Sequence, residues 1–239
     1  MLPLVAPQAH ATEVEASAEP SASASVTSPN SLWTDLRRQA PRLDPDVLAR
    51  ALDARRCAVA AGEAERDEIL TVIDYSLPST KKRLWVFDVA QRELLFHELV
   101  AHGKNTGGNV ATRFSNVTGS LQTSLGLFRT AETYYGQNGY SLRLHGLEKG
   151  VNHLALPRTI VIHGAWYVSR KLAERQGRIG RSWGCPAVRE AVARPLIDTI
   201  KNGSLVFAYY PDEDWLGNSR FLDACPARAR AATGTTTAD

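Results

Sequence analysis

The chain has 239 residues, 44% of them hydrophobic and 22% charged, with a formal net charge of +3. This is globular composition, at a length that suits one main domain with appendages and a core that needs no metal or disulfide to be stable. The mild charge gives no electrostatic case for nucleic acid, because the only tight basic group, Lys81-Lys82-Arg83, reads as a solvated turn before a strand. No window approaches the ~20 apolar residues of a membrane span.

Leu2 to Ala6 is a short apolar run, and Ala9-His10-Ala11 has a small-x-small pattern. Together they read as a signal peptide truncated at its start and cleaved near Ala11, with a disordered leader as the alternative. Thr12 to Asn30 is rich in Ala, Ser, Pro and Glu and reads as a flexible linker. The chain thus divides into a leader and linker (1–30), an N-terminal helical segment (31–66), a main domain (67–211) and a C-terminal extension with a disordered tail from Ala229 (212–239).

In the helical segment, Asp44-Pro45 supplies an N-cap and a first-turn proline, and Gly62 a stop, which predicts a helix from Asp44 to Ala61. Leu48, Leu52 and Val59 form its apolar stripe. Cys57 follows Leu48 by about half a turn at ~100° per residue and so points off that stripe. From Ile69 the period changes. "ILTVIDY" (69–75), "RLWVFDV" (83–89), "ELLFHELVA" (93–101), "GSLQTSLGLFRT" (119–130), "YSLRLHG" (140–146), "RTIVIHG" (158–164) and "SLVFAYY" (204–210) are β-rich and bounded by turns. They predict a mainly antiparallel β domain, open or barrel-like. One helix starts near Pro195, with Ile197 and Ile200 facing inward and Asn202-Gly203 at its end. No internal repeat is present.

An odd cysteine count in an oxidising compartment points to a free thiol. Either Cys57 pairs with Cys225, tying the two ends of the chain together and leaving Cys185 free, or all three are reduced. Cys185 sits in "GRSWGCPAV" (180–188), with Gly184 and Pro186 fixing the backbone around it. A cysteine nucleophile needs a base or a cation nearby. With the next helix placed at Pro195, its dipole is too distant to serve. His163 is the natural base, since it ends the apolar run "IVIHG" where a strand emerges. His145, which ends "LRLHG", is a candidate pocket wall. His97 reads as packing, and His102 and His153 as loop residues without a companion signal.

"IVIHGAWYVS" followed by "GRSWGCPAV" resembles the murein L,D-transpeptidase catalytic domain family, whose signature is a histidine, a spacer, then Ser/Thr-His-Gly-Cys. "TVIDYSLPST", "FSNVTGS", "SLRLHGLEKG" and "FAYYPD" share the resemblance, which runs from about Ile69 to Tyr210. It implies a mainly β fold with flanking helices, a β-sandwich or open barrel, behind the N-terminal helical segment. It implies Cys185 as nucleophile, His163 as base and the Gly164 carbonyl as the group orienting the imidazole. The N–H groups of Trp183, Gly184 and Cys185 would form the oxyanion hole, and Ser182 fills the Ser/Thr position. Trp183 stands where the family has histidine, and Ala187 where it has a polar or basic residue, which leaves that contact to another residue such as Arg189.

The implied reaction joins Cys185 to a peptidoglycan stem peptide as a thioester, releases D-Ala and passes the acyl group to an amine of a second stem or of a lipoprotein. Water as acceptor would make an L,D-carboxypeptidase. The loop from His163 to Cys185 carries Arg170, Arg175, Arg178 and Arg181, and Arg178 or Arg181 suits a substrate carboxylate. No cofactor or metal is implied, and the expected setting is the periplasm or cell envelope, with a monomer as default. Papain-like endopeptidases place cysteine before histidine, the reverse of this order. A structural zinc site lacks any C-x-x-C or H-x-x-x-H spacing. A binding-only wall protein would have no use for both the cysteine and the histidine.

Overall fold

Runs of β-branched and aromatic residues that are buried on both faces form the middle of the sheet, as the fully buried "ILTVID" of β1 shows. The computed structural model of the chain describes residues 29–222 and Cys225. The expected leader, most of the linker and the tail from Ala229 lie outside the described residues. The strands are β1 (Ile69–Asp74), β2 (Leu84–Asp88), β3 (Glu93–Glu98), β4 (Val100–Ala101), β5 (Gly126–Gly136), β6 (Gly139–Gly146), β7 (Val161–Gly164), β8 (Ala187–Val188) and β9 (Leu205–Tyr209). The helices are α1 (Pro29–Gln39), α2 (Pro45–Ala61), α3 (Arg170–Gln176), α4 (Glu190–Ile200) and α5 (Glu213–Asn218).

All nine strands form one sheet in the order β3-β2-β1-β9-β5-β6-β7-β8-β4. Antiparallel pairs dominate, as expected, but β1 runs parallel to β9 and β7 parallel to β8. β3 and β4 stand at opposite ends of this order, yet only Leu99 separates them in the chain. One continuous segment therefore pairs with β2 through its first half and with β8 through its second, and the sheet nearly closes on itself. Side chains alternate across this switch. Val100 enters the main core, while Leu99 and Ala101 join a smaller core with Ala165, Val168, Ile179 and Ala187.

Four expectations need correction. The helix α2 has the expected caps: the Asp44 carboxylate accepts the Asp46 N–H at 2.8 Å, and Gly62 closes the helix at φ +77°. Its buried face, however, is Val47, Leu48, Ala51, Ala54, Cys57 and Ala58, so Cys57 points inward. Alanines let that face approach the sheet closely, and a stripe drawn through the large residues alone misses it. Residues 119–125 are not strand, because Leu121 takes a left-handed φ of +56° and Thr123 turns its N–H to Thr106 Oγ1. α4 begins at Glu190 and carries Pro195 inside it. Arg83 is fully buried rather than solvated, donating to the carbonyls of Val100 and Leu77 with its guanidinium 5.1 Å from the Tyr75 ring centre.

Cys57 and Cys225 form a disulfide, and Cys185 is the free thiol among the described cysteines. The bridge spans 168 residues of sequence. It fastens the C-terminal extension to α2 and through it to the main core. A long closed loop restricts the unfolded chain, so reducing the bridge or making Cys57→Ser lowers the unfolding free energy by roughly 2–5 kcal/mol. Urea titration with and without reductant reads this directly, and coincident curves would contradict it.

Candidate active site

Parallel neighbours cannot be joined by a tight turn, and residues 165–186 form the crossover from β7 to β8. In their register His163 stands opposite Ala187 and Gly164 opposite Val188. Cys185 lies two residues ahead of Ala187, the partner of His163 in this pairing. Cys185 and His163 line a cleft of about 680 Å³, together with Arg158, Thr159, Tyr167 and Arg181.

The turn that presents Cys185 is cross-braced. Ser182 donates its N–H to the His102 carbonyl at 3.0 Å and accepts the Lys104 N–H on its own carbonyl at 2.8 Å. Its hydroxyl donates to the Cys185 carbonyl at 2.6 Å and accepts the Gly184 N–H at 3.1 Å. Thr123 Oγ1 donates to the Gly184 carbonyl at 3.1 Å and accepts the Gly103 N–H at 2.9 Å. Gly184 sits at φ +126°, where a Cβ would also meet the Gln122 carbonyl oxygen at 2.9 Å, so only glycine fits.

Beneath the turn lies His102, fully buried. Its Nδ1 accepts from the Arg83 guanidinium at 2.7 Å, and its Nε2–H donates to the Gly108 carbonyl at 3.1 Å. An arginine can only donate and a carbonyl only accept, so this imidazole is the neutral Nε2–H tautomer. Burial, reinforced by the Arg83 charge, lowers its pKa to about 4.

His163 Nδ1 is 2.9 Å from the Gly164 carbonyl oxygen. That contact places the proton on Nδ1 and leaves the Nε2 lone pair free to act as a base. Burial lowers the pKa of His163, partly offset by this bond. Burial also pushes the Cys185 thiol up, against the opposing pull of the Val161 N–H and the Arg158 charge. The thiol donates to the Thr159 carbonyl, with sulfur and oxygen 3.7 Å apart. Both shifts favour the neutral forms, of the thiol and of the imidazole, which line one cleft. Such a pair can do general-base chemistry, in which the proton leaves sulfur as the new bond forms.

The N–H groups of Trp183 and Cys185 make no hydrogen bond among the described residues, whereas that of Gly184 is taken by Ser182. Of the residues singled out in the sequence, Arg181, Ser182 and Trp183 line the cleft with His163 and Cys185. His145 does not. It lies opposite Arg129 on β6, well past Ser141, which is the partner of His163. Arg178 turns back to the Ile179 carbonyl at 3.1 Å, and Arg170 and Arg175 belong to α3, which buries no residue. Arg189 grips Glu98 with two hydrogen bonds of 2.9 and 2.6 Å and is not free for a ligand.

Arg158 is the cleft residue that sequence reasoning missed, since it looked like the polar start of a strand. Its guanidinium donates to the carbonyls of Ser115 at 2.6 Å and Gln122 at 2.7 Å. Arg181 donates to the carbonyls of Lys104 at 2.9 Å and Gly107 at 2.8 Å. Neither has a carboxylate partner among the described residues. The cleft thus holds two uncompensated positive charges close to a thiol.

Residues 39–209 match the L,D-transpeptidase catalytic domain family. The chain belongs to that family. Similar solved structures include an L,D-transpeptidase from Mycobacterium smegmatis, 15% identical with a TM-score of 0.38 and covering 60% of this chain and 59% of that one. The helical cell shape determining protein Pgp2 from Campylobacter jejuni is 13% identical with a TM-score of 0.39, covering 67% and 54%. An L,D-transpeptidase from Stackebrandtia nassauensis is 14% identical with a TM-score of 0.36, covering 75% and 89%. The chain spans about three fifths of the length of the M. smegmatis protein. No curated protein matches it. Among the described residues of this L,D-transpeptidase domain, no helix is long and apolar enough to cross a membrane.

The raised thiol pKa sets an expectation for reactivity. Without substrate, alkylation of Cys185 is slow at neutral pH, and its pH midpoint lies above the ordinary thiol value of ~8.5. Arg158→Gln removes a charge that favours the thiolate and moves the midpoint higher still. Iodoacetamide labelling followed by mass spectrometry across pH 6 to 11 (roughly one unit beyond each ordinary limit) checks both. Fast labelling at neutral pH would contradict the neutral pair.

Proposed function

We propose that the chain is a peptidoglycan L,D-transpeptidase whose nucleophile is Cys185. The observation that carries the reading is that Cys185 and His163 line one cleft, with the imidazole tautomer fixed by the Gly164 carbonyl. In the first step the Cys185 sulfur attacks the stem-peptide carbonyl that precedes the terminal D-Ala. The thiol proton passes to His163 Nε2 and a C–S bond forms. The C–N bond then breaks, and His163 returns the proton to the departing amine of D-Ala, leaving a thioester. In the second step an amine of a neighbouring stem attacks the thioester, its proton goes to His163, and the C–S bond breaks to restore the thiol.

The oxyanion formed in each step faces the free N–H groups of Trp183 and Cys185. In well-studied enzymes one such donor is worth about 3 kcal/mol. Arg181 and Arg158 supply positive charge for the carboxylates of the stem. A structural disulfide belongs to an oxidising compartment, so the Cys57–Cys225 bridge supports a site of action in the periplasm or cell envelope.

Incubation with purified tetrapeptide muropeptides tests the reading. Mass spectrometry is expected to find an acyl adduct on Cys185 and release of D-Ala. Cys185→Ala and His163→Ala each reduce D-Ala release to background. Cross-linked dimers identify an amine acceptor, and tripeptides identify water. Undiminished release by Cys185→Ala would overturn the proposal, and absence of both adduct and product would favour wall binding without catalysis.

Two further outcomes concern rate. Arg181→Gln raises KM about 10- to 100-fold, the loss expected for one charge-assisted carboxylate contact. Because His163 must be neutral to accept a proton and its pKa is lowered, activity persists as pH falls below the ordinary histidine value of ~6.5 and is lost only further down. A kcat/KM profile from pH 4 to 8 (roughly two units to either side of that range) locates this acid limb.

A further inference from the structure

The walls of the cleft differ in chemistry. Around Cys185 they are cationic, with Arg158 and Arg181. Gln137 and Asn138 at the tip of the β5–β6 hairpin line the same cleft, as does Trp183, and none of the three bears a charge of its own. There the side chains of Gln137 and Asn138 are exposed and make no hydrogen bond among the described residues. Trp183 is 75% exposed although it sits in the tightly braced turn between Ser182 and Gly184. Tyr134 lines the cleft as well, with the Arg143 guanidinium 4.3 Å from its ring centre.

Trp183 is exposed at a cleft that also presents polar side chains, the mixed lining of which ligand sites are built. Its electron-rich face attracts polarised C–H groups. A pyranose offers such a face, since its axial hydrogens lie on one side of the ring. Its equatorial hydroxyls and acetamido groups need partners that both donate and accept, as Gln and Asn amides do. A carboxylate uses only the donor half of each amide, and an alkyl chain would leave the amides unpaired. The volume of about 680 Å³ is well inside the ~300–1,000 Å³ range of ligand clefts.

From this we infer that Trp183, Gln137 and Asn138 form a sugar subsite, which takes the amino-sugar unit to which the stem peptide is attached. The inference rests on the proposed function for the identity of the peptide part. It makes the donor a sugar-bearing muropeptide, with the stem running toward Cys185 and the pyranose against Trp183. It also gives a role to the tryptophan that replaces the family's histidine.

The test is a binding measurement that does not depend on turnover. In the Cys185→Ala protein, calorimetry compares a disaccharide-tetrapeptide with the bare tetrapeptide. The expected ratio of Kd values favours the sugar-bearing ligand by about tenfold. Adding Trp183→Ala brings that ratio to about one, Trp183→Phe keeps most of it, and the Gln137→Ala/Asn138→Ala pair reduces it. Because each variant is its own control, a general loss of folding does not mimic the result. Equal affinities in the parent, or a ratio that survives Trp183→Ala, would overturn the sugar subsite. A tenfold ratio in a protein that releases no D-Ala would uphold the subsite and defeat the catalytic reading.

Discussion

The parallel register of β7 and β8 is the constraint on which the site depends. β8 has only two residues, too few to hold a position by their own ladder. It is fixed because three neighbours converge on it. β7 pairs along one edge, β4 along the other, and Arg189, immediately after it, is clamped to Glu98 at the end of β3. The strand switch at Leu99, which lets one segment serve both edges of the sheet, supplies two of these three contacts. Gly164 completes the arrangement. A Cβ there would meet the Ala193 Cβ at 2.9 Å, so its absence allows α4 to pack directly over the end of β7. A one-residue slip in this register would turn His163 to the opposite face and separate it from the thiol.

Desolvation has opposite consequences for the Cys185 thiol and the His163 imidazole, and both favour neutrality. It raises the thiol and lowers the imidazole. The Thr159 carbonyl takes that S–H bond. Thr159 itself is a β-branched residue at φ +55°, a conformation that costs energy and that the rest of the cleft must maintain. A protonated thiol is a weak nucleophile and a poor target for oxidants. The charge on Arg158 is close enough to favour the anionic forms without neutralising a partner of its own.

Much of this was legible in local sequence. Asp44-Pro45 and Gly62 bounded α2 because capping is a matter of near neighbours, and the β-rich runs located most strands for the same reason. Cysteine parity separated Cys185 from the pair, and "IVIHG" placed His163 at a strand end. What stayed hidden was set by distant partners. Arg83 is buried because the Val100 and Leu77 carbonyls and the Tyr75 ring surround it, none of which its sequence neighbours reveal. Cys57 faces inward because alanines make a flat face. Arg158 enters the cleft because residues 115–124 loop back to hold its guanidinium. Pro195 misled the reading of α4: the helix begins at Glu190, with Arg189 as its N-cap tied to Glu98, and proline is carried in the interior.

The rigidity of the Cys185 turn has its origin in the buried cation rather than in the turn itself. Arg83 binds the Val100 carbonyl next to the strand switch and the His102 ring behind the turn, and the His102 carbonyl holds the Ser182 N–H. A chain of hydrogen bonds thus runs from the switch in the sheet to the hydroxyl that braces the Cys185 carbonyl. Each polar group in it would be unsatisfied if its neighbour moved, and in a desolvated interior that loss is large. The network therefore has little freedom to deform gradually. It explains why an exposed indole and a half-buried thiol can occupy adjacent positions without the loop collapsing over either. One side of the turn faces the cleft, while its opposite side is fastened to the sheet that sets the position of His163.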